Sequence, residues 1–237
     1  MKILLVNDDG IDSKRLKFTK SMLDKFSEVT VVAPIRQQSG KSCAISIGGV
    51  EYKKIDDFNY AIRGTPADCV SFGIYGLNKK YDFVVSGVNN GYNIGVDTMY
   101  SGTVGAAYQA NYHNHRAIAL SGDYKGDKNI MFLLEDTLKY VIDNNLTSNN
   151  YVTNINFPSE ASNNEITFKP KITTTYFIRR DAAVKLTNQF CHIERNDISV
   201  KIPNDSDFYA VNNGYVSISK LYLAGEIIWR QYLKMLH

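Results

Sequence analysis

The chain has 237 residues, 44% of them hydrophobic and 22% charged, and its 27 Lys+Arg against 24 Asp+Glu leave a formal net charge of +3. That composition excludes a disordered or fibrous chain, and so small a balance with no long basic run argues against a protein that grips a nucleic-acid polymer, because such affinity comes from many neutralised phosphates. A chain of this length removes roughly 70% of its extended surface from water on folding and needs no disulfide staples.

Cys43, Cys69 and Cys191 are odd in number and lack a CxxC, so they are read as buried structural thiols in a reducing, cytoplasmic setting. Ile3-Leu4-Leu5-Val6 is an apolar run that turns polar at Asn7-Asp8-Asp9, too short for a signal peptide, and no run approaches the ~18 apolar residues of a membrane span.

Taken in chain order, Ile3 to Val6 predicts a strand, followed by a loop and a helix whose apolar face carries Leu16, Met22, Leu23 and Phe26. Val29 to Ala33 is a second strand closed by Pro34, and its continuous hydrophobicity points to cover on both faces. The segment 40–63 predicts small antiparallel strands at Ala44 to Ile47, Val50 to Lys54 and Tyr60 to Ile62. Helices are expected at 66–77, 103–112 and 129–143, and further strands at Phe83 to Val85, Ala117 to Leu120 and Val152 to Ile155. Alternation of this kind predicts an α/β fold with a doubly wound, mostly parallel sheet, whose ligands lie beyond the carboxyl ends of the strands. After residue 157 the pattern changes to Asn-rich turns and alternating patches, with a strand at Gly214 to Ile218 and a final helix from Gly225. The expected division is a catalytic core over 1–157 and a β-rich extension over 158–237 that serves oligomer contacts.

Asp8 and Asp9 follow the first predicted strand, where side-by-side carboxylates repel unless orientation, protonation or a cation relieves them. A hard divalent ion of the Mg²⁺ or Mn²⁺ type suits them; a solvated turn or a helix cap accounts for them as well. The loops after the second strand, Gln37 to Ser42, and after Val85, Ser86 to Gly95, converge on the same edge and offer neutral oxygens at Ser39 and Asn89, although Ser, Gly and Asn also simply make turns. Tyr100-Ser101-Gly102-Thr103 opens an Ala-rich helix; its free amides and hydroxyls can form an anion site or an ordinary cap. Arg63 to Asp68 reads as a structural helix start, and the four histidines show no ligand spacing.

Together these stretches resemble the survival protein SurE family of metal-dependent 5′-nucleotidases. The likeness is carried by Ile3 to Gly10, Val31 to Pro34 with Ser39, Gly64 to Val70, Val85 to Asn89 with Gly91, Asn93 and Gly95, and Ser101 to Val104. Beyond the core, Asn154-Ile155-Asn156-Phe157-Pro158 and Gly214 to Ile218 match as well. The resemblance implies a Rossmann-like core with an arm exchanged between subunits in a homodimer or homotetramer, and one divalent ion per subunit on Asp8, Asp9, Ser39 and Asn89. It implies phosphate-side contacts at Asn93, Ser101, Gly102 and Thr103, and hydrolysis of nucleoside 5′-monophosphates, with 3′-nucleotides and short polyphosphate as further substrates of some members. Asp8 or Asp9 would take the proton of the attacking water. The chain departs from the family pattern at Arg15, where Gly is common, at Ala44, where Ser is common, and at Tyr92, where Pro is common.

Three other readings predict different residues. A receiver module needs an acceptor Asp after the third strand; a haloacid-dehalogenase-like phosphatase using Asp8 as nucleophile needs a second Asp two positions on, where Gly10 stands. A nucleotide-binding oligomer without turnover would keep the same loops and release no phosphate.

Overall fold

The apolar run at the N-terminus forms β1 (Lys2–Val6), and its residues alternate between two separate cores. Ile3 and Leu5 join Val29, Val31, Phe83 and Val85 on one face, against helices contributing Leu16, Leu23, Ile130, Leu133 and Leu134. Leu4 and Val6 join Val32 and Val84 on the other, against Cys69, Val70, Val104, Ala106 and Ala107. A strand covered on both faces has no polar side, which is why the sequence shows a run rather than an alternation.

The computed structural model describes residues 1–159, 166–178, 180–197 and 200–223. After β1 come α1 (Lys14–Leu23), β2 (Glu28–Pro34), β3 (Tyr52–Lys54), β4 (Asn59–Ile62) and α2 (Pro66–Ser71). Then follow β5 (Phe83–Asn90), a short 3-10 turn (Gly95–Met99), α3 (Gly102–Tyr112), β6 (Ala117–Gly122), α4 (Asp127–Asp143) and β7 (Val152–Phe157). The remainder supplies β8 (Pro170–Thr173), β9 (Arg180–Leu186), β10 (Cys191–Asp197), α5 (Asp207–Asn212) and β11 (Val216–Leu221). The expected helix from Gly225 lies outside the described residues.

The main sheet has the order β3-β4-β2-β1-β5-β6-β7-β11-β8, and all neighbours from β4 to β7 are parallel. From β1 the chain winds first toward β2 and β4, then restarts at β5 and winds the other way. The crevice between the tips of β1 and β5 is therefore the switch point at which such folds bind ligands. Among the described residues no helix is long and apolar enough to cross a membrane.

Four expectations need correction. Ala44 to Ile47 forms no strand: Ser42 and Gly48 have φ of 50° and 98°, and Ile47 is 99% exposed, so nothing pairs with the run. Tyr60 to Ile62 belongs to β4, which lies parallel to β2 inside the main sheet; only its pairing with β3 is antiparallel. The segment read as a loop after Val85 is strand as far as Asn90, with a register shift between Ser86 and Asn89. Only Cys69 is buried; Cys43 and Cys191 are exposed. The segment after residue 157 also contributes β11, antiparallel to β7, and β8 to the main sheet, while among the described residues β9 and β10 pair only with each other.

Candidate active site

At the tip of β1 the chain turns on Asn7, whose amide donates to Gly10 O at 3.0 Å while its Oδ1 accepts the Gly10 N–H at 3.3 Å. Gly10 has φ of 100°, the left-handed region open to glycine, and the loop closes with Ile11 N–H donating to Pro34 O at 2.8 Å. This turn drives Asp8 inward, where it is 2% exposed, and leaves Asp9 half-buried.

Asp8 joins three segments. Its Oδ1 accepts the Thr103 hydroxyl at 2.5 Å, and its main-chain oxygen accepts the Gln38 N–H at 2.7 Å. Gly102 is seated against it: a Cβ there would stand 2.9 Å from Asp8 Cβ and 3.0 Å from Oδ2. The start of α3 thus faces Asp8 directly, and only a residue without a side chain permits that approach.

Burial pushes the Asp8 carboxyl up to about 6; the Thr103 hydrogen bond works against that rise and the neighbouring charge of Asp9 adds to it. Burial also raises Asp9, opposed by the Asn90 amide, which donates to its Oδ2 at 3.3 Å, and by the positive charge of Arg15.

Ser39 is exposed and accepts a hydrogen bond from Gln37 Nε2 at 3.0 Å. The loop that carries it rests on α3, backbone to backbone: Ser42 N–H donates to Tyr100 O at 3.0 Å, and a Cβ on Gly105 would fall 1.9 Å from Ser42 O. Asn89 stands at the tip of β5. Its Nδ2 donates to Gly91 O at 2.9 Å, which turns Oδ1 outward as an acceptor.

Asn93 is buried, and most of its polar groups are engaged behind the site. Its N–H donates to Asn156 Oδ1 at 2.8 Å and its Nδ2 to Ser121 Oγ at 2.7 Å, while its main-chain oxygen accepts Asn154 Nδ2 at 2.9 Å and Asn156 Nδ2 at 3.1 Å. Two residues on, Gly95 N–H donates to Asp207 Oδ2 at 2.8 Å. Ser101 caps α3 by accepting the Val104 N–H at 3.1 Å, which leaves its own hydroxyl proton to donate.

A cavity of about 440 Å³ opens between these elements, lined by Asp8, Ser39, Asn89, Asn93 and Ser101 from the expected set, and by Asp97, Tyr92, Tyr100 and Tyr124 among others. Asp9, Gly102 and Thr103 are outside that lining. The Thr103 hydroxyl is given to Asp8 rather than to the cavity.

Among the described residues no three of His, Cys, Asp and Glu cluster as a metal site. The donor set is instead two carboxylates with the neutral oxygens of Ser39 and Asn89, and that all-oxygen chemistry fits a hard divalent ion. The burial that raises Asp8 is a cost an adjacent cation would relieve.

Sequence reasoning noted Arg15 only as a departure from the family pattern, and missed Asp97, Tyr124 and Asp207. Tyr124 follows the end of β6, so the strand-edge rule reaches it. An Arg in a first helical turn, an Asp inside a 3-10 turn and an Asp opening a short helix carry no distinguishing signal.

A model of the family described as survival protein SurE matches residues 3–183. The chain is 35% identical over 230 residues to the 5′-nucleotidase SurE of Histophilus somni (strain 2336), covering 93% of this chain and 92% of that protein. It is 34% identical over 229 residues to the 5′/3′-nucleotidase SurE of Wigglesworthia glossinidia brevipalpis, covering 93% and 91%. Among solved structures, that of the SurE protein from Aquifex aeolicus aligns with a TM-score of 0.80 at 28% identity, covering 99% of this chain and 100% of that one.

Proposed function

The chain belongs to the survival protein SurE family, and we propose on that premise that it is a nucleotidase, a phosphomonoesterase that hydrolyses nucleoside 5′-monophosphates to nucleoside and phosphate. The observation that carries this reading is the convergence of Asp8, Ser39, Asn89 and Ser101 on one cavity at the switch point of the sheet. Asp8, Asp9, Ser39 and Asn89 would hold one divalent ion, Mg²⁺ or Mn²⁺, which when bound supplies Lewis-acid stabilisation of the phosphoryl oxygens.

The chain's own groups account for the remaining work. Asp8 has one oxygen fixed by the Thr103 hydroxyl, which anchors its carboxylate as a ligand. Asp8 or Asp9 would take the proton of the attacking water. The Ser101 hydroxyl donates to the phosphate. Tyr100 and Tyr124 present exposed rings in the same cavity, on which a base of any identity can stack. The Wigglesworthia relative, a 5′/3′-nucleotidase SurE, extends the proposal to 3′-nucleotides.

The β9–β10 hairpin supports assembly into a homodimer or homotetramer. Isolated two-stranded hairpins are marginal in water, and this one exposes Val184, Leu186, Phe190 and Ile193, as expected for an arm that packs on another subunit.

Phosphate release from AMP tests the nucleotidase reading, with EDTA-treated enzyme and Mn²⁺ or Mg²⁺ add-back testing the metal. Loss on chelation and recovery on add-back is the expected result; no release under any metal would refute it, and full activity after chelation would remove the ion from it.

A further inference from the structure

The register shift in β5 leaves Gly87 and Val88 out of register with β6, and α1 meets the main chain from there to the tip. The Thr19 hydroxyl receives the Val88 N–H at 3.4 Å. Arg15, one turn earlier and 9% exposed at its side chain, donates from Nη1 to Asn89 O at 2.7 Å and to Gly122 O at 3.1 Å. Its Nη2 donates to Asp123 O, and its Nε to Asp127 Oδ1 at 2.7 Å. A single buried guanidinium therefore ties the tip of β5, which carries Asn89, to the end of β6, which leads to Tyr124.

We infer that Arg15 is a positioning residue for the metal-binding side of the site, setting the height of Asn89 against Asp8 and Asp9 through its grip on three main-chain oxygens. The inference rests on the nucleotidase reading and its assignment of Asn89 as a ligand. The planar fork of Arg reaches several separated acceptors at fixed angles, whereas the three donors of Lys radiate from one nitrogen, so geometry rather than charge is the property in use.

Mn²⁺ binding to the full-length, metal-stripped protein, followed by electron paramagnetic resonance, tests this alongside AMP kinetics and thermal melting. Arg15→Met removes every donor; Arg15→Lys keeps the charge. Both are expected to bind Mn²⁺ about 10-fold or more weakly at temperatures where they are folded, with kcat falling more than KM rises, the size of effect seen for residues that orient metal ligands. A purely structural role would lower the melting temperature and leave Mn²⁺ affinity unchanged, and that result overturns the inference. Should Arg15→Met fail to fold, Arg15→Lys decides alone. If the wild type binds no Mn²⁺, the metal reading itself fails and this inference with it; if the wild type binds and the folded variants bind equally well, only the inference falls.

Discussion

The two halves of the main sheet are built on different rules. In β1 and β2 most strand residues feed an apolar layer, and the candidate site residues lie beyond the tips, at Asp8 and Ser39. In β6, β7 and β11 the strands themselves carry Ser121, Asn154, Asn156, Ser217 and Ser219, all buried. Ser121, Asn154 and Asn156 are bonded to Asn93, in the loop that leads to Ser101. One half sets the candidate ligands at the ends of an apolar scaffold; the other supplies a polar bed that fixes a loop from below. A helix packed on a sheet presents apolar side chains, but a loop presents unpaired N–H and C=O groups, and only polar strand residues satisfy those.

The sharpest way to break this division is to compare Asp8→Asn with a change in the bed. Asp8→Asn is expected to fold normally by circular dichroism and to lose about 10²-fold or more in kcat/KM for AMP, because it removes a charge the transition state uses. Asn156→Ala deletes two hydrogen bonds to Asn93 and should cost about 2 kcal/mol of stability in urea unfolding, with a higher KM for AMP. If Asn156→Ala kept full stability while abolishing turnover, the bed would be part of the reaction rather than its frame.

A smaller effect separates base from phosphate. Tyr124→Ala should raise KM for AMP about 10-fold, the worth of one base–aromatic stack, and leave ribose 5-phosphate untouched. Equal losses on both substrates would remove Tyr124 from base recognition.

The smallest expected effect is a pH slope. Burial raises the Asp207 carboxyl above its usual range, so the folded state holds this proton more tightly than the unfolded chain. Its stabilising contribution is full below the ordinary carboxylate value and is lost as pH rises through the raised one. Asp207→Asn has no such titration. Its cost in stability should therefore be larger near pH 4 than near pH 7, and a cost independent of pH would contradict the shift.

Much of the scaffold was legible because β1 and β2 are covered on both faces and their runs end at turn residues. The meeting of Asp8, Ser39 and Asn89 followed from the rule that such folds bind at strand tips. What escaped was geometry without a local signal. Gly87 reads as a turn, yet it lies within β5, whose main chain is met by a helix distant in sequence. Thr103 reads as a helix-start hydroxyl available to phosphate, but its proton goes to Asp8, 95 residues away in the chain. The β9–β10 hairpin left no core pattern because Val184, Leu186, Phe190 and Ile193 stay exposed.

The Asp8–Thr103 contact also bears on how the protein acquires its site. The two residues lie at opposite ends of the first half of the core, so no contiguous fragment shorter than that span contains both, and loop closure must precede their meeting. A ligand that needs this arrangement has almost no affinity for the denatured ensemble. Its whole binding free energy then adds to the native side of the folding equilibrium, and the midpoint of thermal unfolding climbs with the logarithm of its concentration once the site is saturated.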